Sequence, residues 1–307
     1  MTKIRLIGAG IDTGQQVAGC LMGPTAFRVA GIGATLADLG HQVQDQGDLA
    51  MVDVAPLTCS NATVHHYNET RAWTQALAKA TYSALTQGLM PIIMGGDHSL
   101  TLGTGFGAAR HAKGLGRPLF LLWLDAHSDF HTLKSTRSGN LHGTPVAYLA
   151  GCGDFDGFDP FPSPIPAQNI CLFGIRSVDP EENLALFHHD IAINDMRVLD
   201  ERGIVAPLRE FLAKVQSENG LLHVSLDVDF LDPSFAPAVG TTVLGGATLR
   251  EAHLVMELLH ESGLMTSLDL VELNPFLDEK GKTALIMVDL VASLMGRRVF
   301  DRPTRSA

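Results

Sequence analysis

The chain has 307 residues, 46% hydrophobic and 18% charged, enough to bury a large core within a single unit spanning 1–307. A net charge of −11, spread along the chain, opposes nucleic acid and favours a cationic partner. No apolar stretch approaches the roughly 20 residues of a membrane span, which argues against a membrane partner. The N-terminus is too short in apolar length for a signal peptide, and the four cysteines form no C-x-x-C pair, so reduced thiols in the cytoplasm are expected.

Ile4 to Gly8 reads as a first strand. Gly8-Ala9-Gly10 turns it into a loop, Asp12 to Gly23, without the third glycine of a dinucleotide fingerprint. Pro24 opens a helix expected to run to Leu39. His41 to Gln44 reads as a short strand and Asp45 to Asp48 as a turn. Ala62 to Thr86 has the spacing of a long helix, with Trp73, Ala76, Leu77, Ala80 and Leu85 as its apolar stripe. His65 and His66, adjacent near its start, point to different sides and read as surface or interface residues, not ligands.

Three later strands end in the same way. Met90 to Met94 runs into Gly95-Gly96-Asp97-His98-Ser99. The uncharged run Leu119 to Leu124 ends in Asp125-Ala126-His127-Ser128-Asp129. Leu221 to Leu226 ends in Asp227-Val228-Asp229. Positions i, i+2 and i+4 of an extended chain share a face, so Asp125, His127 and Asp129 converge if the strand continues that far. In open α/β sheets, ligands bind beyond the carboxyl ends of the strands. His98, Asp125, His127, Asp129, Asp227 and Asp229 are too many for one tetrahedral site. They suit two metal ions with bridging carboxylates. Oxygen and imidazole donors without thiolate favour manganese over structural zinc. Five of the thirteen histidines fall between His98 and His142, a clustering that favours chemistry over scattered structural use.

A polar loop, Phe130 to Gly143, follows the central motif, and Thr144 to Ala150 reads as a helix. Gly151 to Pro166 reads as a long surface loop. Gln168 to Gly174 is a strand leading to Asp179, Glu181 and Glu182, which suit both a helix N-terminus and the grip of a cation. Met196 to Val215 reads as helical with an interruption at Gly203, Thr248 to Glu261 as a helix, and Leu264 to Leu270 as a strand followed by Glu272. Thr283 to Met295 closes the chain as a helix. Strands alternate with helices throughout, predicting an α/β fold with a mostly parallel sheet covered on both faces.

The three strand-end motifs resemble the signatures of the ureohydrolase family, that of arginases and agmatinases, over almost the whole chain. Ser138-Gly139-Asn140-Leu141-His142-Gly143, Arg176 to Glu182 and Asp232 to Thr241 are more similar to arginases than to agmatinases. The resemblance implies a three-layer α/β/α fold with about eight parallel strands, assembled as a homotrimer or homohexamer. It implies two Mn²⁺ per subunit. One would be held by His98, Asp125, Asp129 and Asp227, the other by Asp125, His127, Asp227 and Asp229. It implies hydrolysis of L-arginine to L-ornithine and urea by attack of a metal-bridging hydroxide on the guanidinium carbon. Asp129 would handle the proton of the nucleophile, His142 would shuttle protons and Glu272 would pair with the guanidinium. Asp179 would contact the α-amino group, with Glu182 and Thr241 as outer contacts, and Ser138 and Asn140 would face the α-carboxylate end.

Two positions depart from the arginase pattern. His131 stands where an asparagine binds the α-carboxylate, and Ser177 where an aspartate is usual. With Lys134 and Arg137 in the same loop, these favour a carboxylate without an amine and keep 4-guanidinobutanoate and 3-guanidinopropanoate open as substrates, with agmatine as a further alternative. A single-zinc deacetylase would want a tyrosine in a glycine-rich late loop, absent here, and a non-catalytic metal-binding homologue should have lost ligands, none of which is lost.

Overall fold

The apolar runs form eight strands among the described residues, which in this computed structural model are 1–161 and 163–298. In chain order they are β1 (Lys3–Ala9), β2 (Gln42–Asp48), β3 (Met90–Gly95), β4 (Leu119–Leu124), β5 (Ile170–Ile175), β6 (Ala192–Asp195), β7 (Leu221–Asp227) and β8 (Met265–Val271). They pair in parallel in the order β2-β1-β3-β8-β7-β4-β5-β6. β4, β5 and β7 are buried at every position, which is why they read as continuous apolar runs rather than alternating ones.

The pleat divides their side chains between two layers of helix. Phe120, Leu122 and Leu124 face one core, shared with α1 (Gly23–Val29), α2 (Ile32–Asp38), α8 (Val205–Ser217), α9 (Leu249–Ser262) and α10 (Lys282–Leu294). Leu119, Leu121 and Trp123 face the other, shared with α4 (Thr101–Leu115), α5 (Pro145–Leu149) and α6 (Pro180–Phe187). α3 (Tyr67–Thr86) packs on that side too, against α4 and with Trp73 and Leu77 in a smaller cluster. The fold is thus the expected three-layer α/β/α arrangement with an eight-stranded parallel sheet. No single helix among the described residues is long and apolar enough to cross a bilayer.

Several boundaries differ from expectation. The Pro24 to Leu39 helix is two, because Gly31 adopts a left-handed conformation (φ 87°) between α1 and α2. β2 continues to Asp48, where Asp45 and Asp48 bind Arg28 instead of making a turn. The long helix starts at Tyr67, after left-handed His66, so Ala62 to His65 lie outside it. β6 was not anticipated at all; it is a four-residue edge strand with no buried residue. It is followed by α7 (Met196–Arg202), and the interruption at Gly203 separates α7 from α8. The loop after α5 is as expected apart from Pro162, which lies outside the described residues.

Candidate active site

Four neighbouring strands, β3, β8, β7 and β4, end at the same edge of the sheet and deliver the chemical groups there. β3 feeds His98, β8 feeds Glu272, β7 ends at Asp227 ahead of Asp229, and β4 feeds Asp125, His127 and Asp129. The chain leaves two of these strands through unusual backbone. Asp129 (φ 45°) and Glu272 (φ 64°) are both left-handed. Such conformations cost about 1–3 kcal/mol each and are kept where the surroundings over-determine them. Here Glu272 N–H donates to Gly96 C=O at 2.8 Å, and Asp129 C=O accepts from Val146 N–H at 3.1 Å.

The six proposed ligands form two adjoining groups. His98 Nδ1 lies 3.0 Å from Asp125 Oδ2, 3.0 Å from Asp227 Oδ2 and 3.4 Å from Asp129 Oδ2. His127 Nδ1 lies 3.0 Å from Asp229 Oδ2 and 3.4 Å from Asp125 Oδ1. Asp125 therefore faces both histidines, one with each oxygen. Its Oδ1 also accepts from His127 N–H, Asp227 Oδ1 from Asp229 N–H, and Asp229 Oδ1 from Ala126 N–H. These backbone bonds aim the remaining oxygens inward. His98 Nδ1, Asp125 Oδ2 and Asp229 Oδ2 are buried yet make no hydrogen bond among the described residues. Buried polar atoms are normally paired, so orphans that converge on one another fit an oxygen- and nitrogen-bound cation.

The protonation preferences describe the same excess of negative charge. Burial lifts Asp129 well above the usual carboxylate range, and the Asp125 charge lifts it further. Asp227 and Asp229 are raised by burial and by neighbouring carboxylates. Burial works against a charge on His127, but Asp229 and Asp125 outweigh it and push the imidazole up to about 12.

The cavity beyond this cluster has a volume of about 250 Å³. His98, Asp125, His127, Asp129 and Asp227 line it together with His131, Ser138, Asn140, His142, Asp179, Glu182, Thr241 and Glu272. Asp229 does not line it and reaches the cluster through His127. Glu272 Oε1 accepts from His98 N–H at 2.8 Å and lies 3.0 Å from His142 Nδ1. Burial opposes a charge on His142, but Glu272 more than compensates and raises it to about 9. At the far end, Glu182 caps α6, accepting from Asp179 N–H at 3.0 Å and Phe130 N–H at 2.7 Å. His131 Nε2 lies 3.2 Å from Asp179 Oδ2. Ser177 also lines the cavity. Lys134 and Arg137 do not; they pair with Asp154 and Glu181.

Sequence reasoning assigned no role to Asp97, which is fully buried. Asp97 Oδ2 accepts from Gly14 N–H at 2.7 Å, and Gly14 C=O accepts from His142 N–H at 3.0 Å, so the loop after β1 ties the two motifs together. It also passed over Trp123, stacked on His98 with centroids 3.9 Å apart.

A sequence model described as the Arginase family matches residues 2–296. The arginase of Brucella melitensis is 55% identical over 98% of this chain and 99% of its own. Among solved structures, the arginase of Bacillus caldovelox has a TM-score of 0.90 at 36% identity, covering 97% of this chain and 100% of that one. The arginase of Entamoeba histolytica, solved in complex with L-ornithine, has a TM-score of 0.87 at 25% identity over the same shares.

Proposed function

Since the chain belongs to the arginase family and is a hydrolase of guanidino C–N bonds, we propose that its substrate is L-arginine and its products L-ornithine and urea. The observation that carries the reading is the convergence of orphaned, buried imidazole and carboxylate atoms at the base of a cavity that also holds Glu272. His98, Asp125, Asp129 and Asp227 would hold one divalent ion and Asp125, His127, Asp227 and Asp229 the other. The sulfur-free donor set favours Mn²⁺. Bound there, two such ions supply Lewis acidity and a hydroxide nucleophile near neutral pH.

The chain's own groups divide the remaining work. Glu272 stays anionic through its contacts with His142 and the His98 N–H, and it accepts the planar guanidinium. Asp129, whose carboxylate reaches the same cluster beside His98, takes a proton from the nucleophile. His142, charged at neutral pH, supplies the proton that the departing amine needs. Asp179 and Glu182 offer carboxylates to the α-ammonium, and Ser138 and Asn140 hydrogen-bonding groups to the α-carboxylate. Pairing with Asp154 and Glu181 keeps Lys134 and Arg137 out of the cavity, where Asp179 and Glu182 face only His131 among the described basic side chains, which supports an amine-bearing substrate over a simple guanidino acid. The same reading makes the chain a homotrimer or homohexamer. A monomeric mass by light scattering would contradict it.

The test is urea release by the Mn²⁺-reconstituted chain from arginine, agmatine, 4-guanidinobutanoate and 3-guanidinopropanoate. Arginine is expected to lead in kcat/KM. A lead for a substrate without the α-amine would mean that His131 and Ser177 have redirected the site.

A further inference from the structure

Behind His98, on the side away from the cavity, lies a group of polar side chains inside the otherwise apolar layer between the sheet and α4. Thr101, Thr104, His223, Ser225 and Asp269 are all fully buried. Sheet register sets Ser225 of β7 opposite Asp269 of β8 and His223 opposite Ser267. Thr101 and Thr104, one turn apart on α4, reach down onto them.

The hydrogen bonds run in one direction. His98 Nε2 is 2.8 Å from Ser225 Oγ. Ser225 Oγ is 3.4 Å from Thr101 Oγ1. Thr101 Oγ1 donates to Asp269 Oδ2 at 2.9 Å. Thr104 Oγ1 also donates to that oxygen, and His223 Nε2 lies 3.1 Å from it. Thr101 gives its one proton to Asp269, so towards Ser225 it has only lone pairs, and the Ser225 hydroxyl is the donor in that contact. Ser225 then has only lone pairs to offer His98, and His98 must carry its proton on Nε2. That leaves Nδ1, the atom facing Asp125 and Asp227, free to act as a ligand.

We propose that Asp269, acting through Thr101 and Ser225, fixes the tautomer and ring orientation of His98 and so sets the affinity of the ion position that His98 serves. This rests on the two-ion reading above. Asp269 is a positioning residue: it touches neither cavity nor substrate. His223 and Thr104 hold its carboxylate in place, while Thr101 is the link that transmits. Outer partners that polarise a ligand histidine are worth about 10–100-fold in metal affinity.

Thr101 and Thr104 provide a matched pair of substitutions, because both are buried donors to the same oxygen and only Thr101 also contacts Ser225. Metal-stripped full-length chain would be titrated with Mn²⁺ against a competing chelator, and the melting temperature of each stripped variant recorded. Thr101→Val should weaken one of the two Mn²⁺ by about 10–100-fold, whereas Thr101→Ser, which keeps the hydroxyl, should restore binding to within about threefold. Thr104→Val should lower the melting temperature comparably while costing much less affinity. Unchanged Mn²⁺ binding in Thr101→Val would overturn the proposal. So would losses that merely follow melting temperature across both valine variants. Failure of the wild-type chain to take up Mn²⁺ would overturn the two-ion reading itself and this inference with it.

Discussion

Asp125 presents one oxygen to His98 and the other to His127, so both halves of the cluster depend on it. Asp125→Asn keeps the shape but removes the shared negative charge. Metal analysis after reconstitution should find fewer than two Mn²⁺ per chain, with activity lost in parallel. His142 acts differently, since it pairs with Glu272 rather than with the carboxylates proposed as ligands. His142→Asn should retain both ions and lose about 10²–10⁴ in kcat, the usual worth of a general acid. In the metal-free protein, the raised affinity of His142 for its proton stabilises the fold fully below about pH 6.5, and this contribution is lost as pH rises through about 9. Melting curves of wild type and His142→Asn should accordingly converge above that pH. The acids and imidazoles of the site were legible because each stands where an apolar run stops. Asp269 and His223 were not singled out. The signal was present, an ionisable residue inside each of two apolar strands, but Asp269 meets His223 of β7 and Thr101 and Thr104 of α4, all distant in sequence.

Strand ends decide where these side chains meet, and three of them close tightly on Gly96. Its N–H donates to Ala9 C=O, its C=O accepts from Glu272 N–H, and an added Cβ would lie 2.2 Å from Ile11 C=O oxygen. Gly96→Ala should therefore cost about 1–3 kcal/mol by overpacking, visible as a lower melting temperature. It should also raise KM, because β1, β3 and β8 can no longer meet at the same spacing. Central strands were readable from sequence since burial on both faces demands continuous apolar runs. The edges were less so. β6 has no buried residue, so neither alternation nor an apolar run marks it. β2 was cut short because Asp45 and Gly47 look like turn residues, whereas Asp45 serves as the acceptor for Arg28. The break at Gly31 escaped because the apolar spacing of α1 continues into α2.

On the scale of the molecule, the sheet concentrates acidic groups at one edge of an already acidic chain, and the metal-free fold answers by retaining protons. Asp129, Asp227, Asp229, His98 and His127 all hold protons to higher pH than their ordinary values, through burial and the net field of the cluster. The native state then binds more protons than the unfolded chain, so metal-free stability should fall as pH rises above the carboxylate range. Mn²⁺ must displace those protons, and its affinity should rise with pH. Calorimetric titration in buffers of different ionisation heat should find proton release on binding; its absence at pH 7 would count against the cluster as the binding place.

The most direct test of the account is urea release from arginine by metal-stripped chain as Mn²⁺ is added in fractions of an equivalent. Negligible activity is expected at the start, with a plateau at two ions per chain. Full activity without metal, or a plateau at one ion, would contradict it.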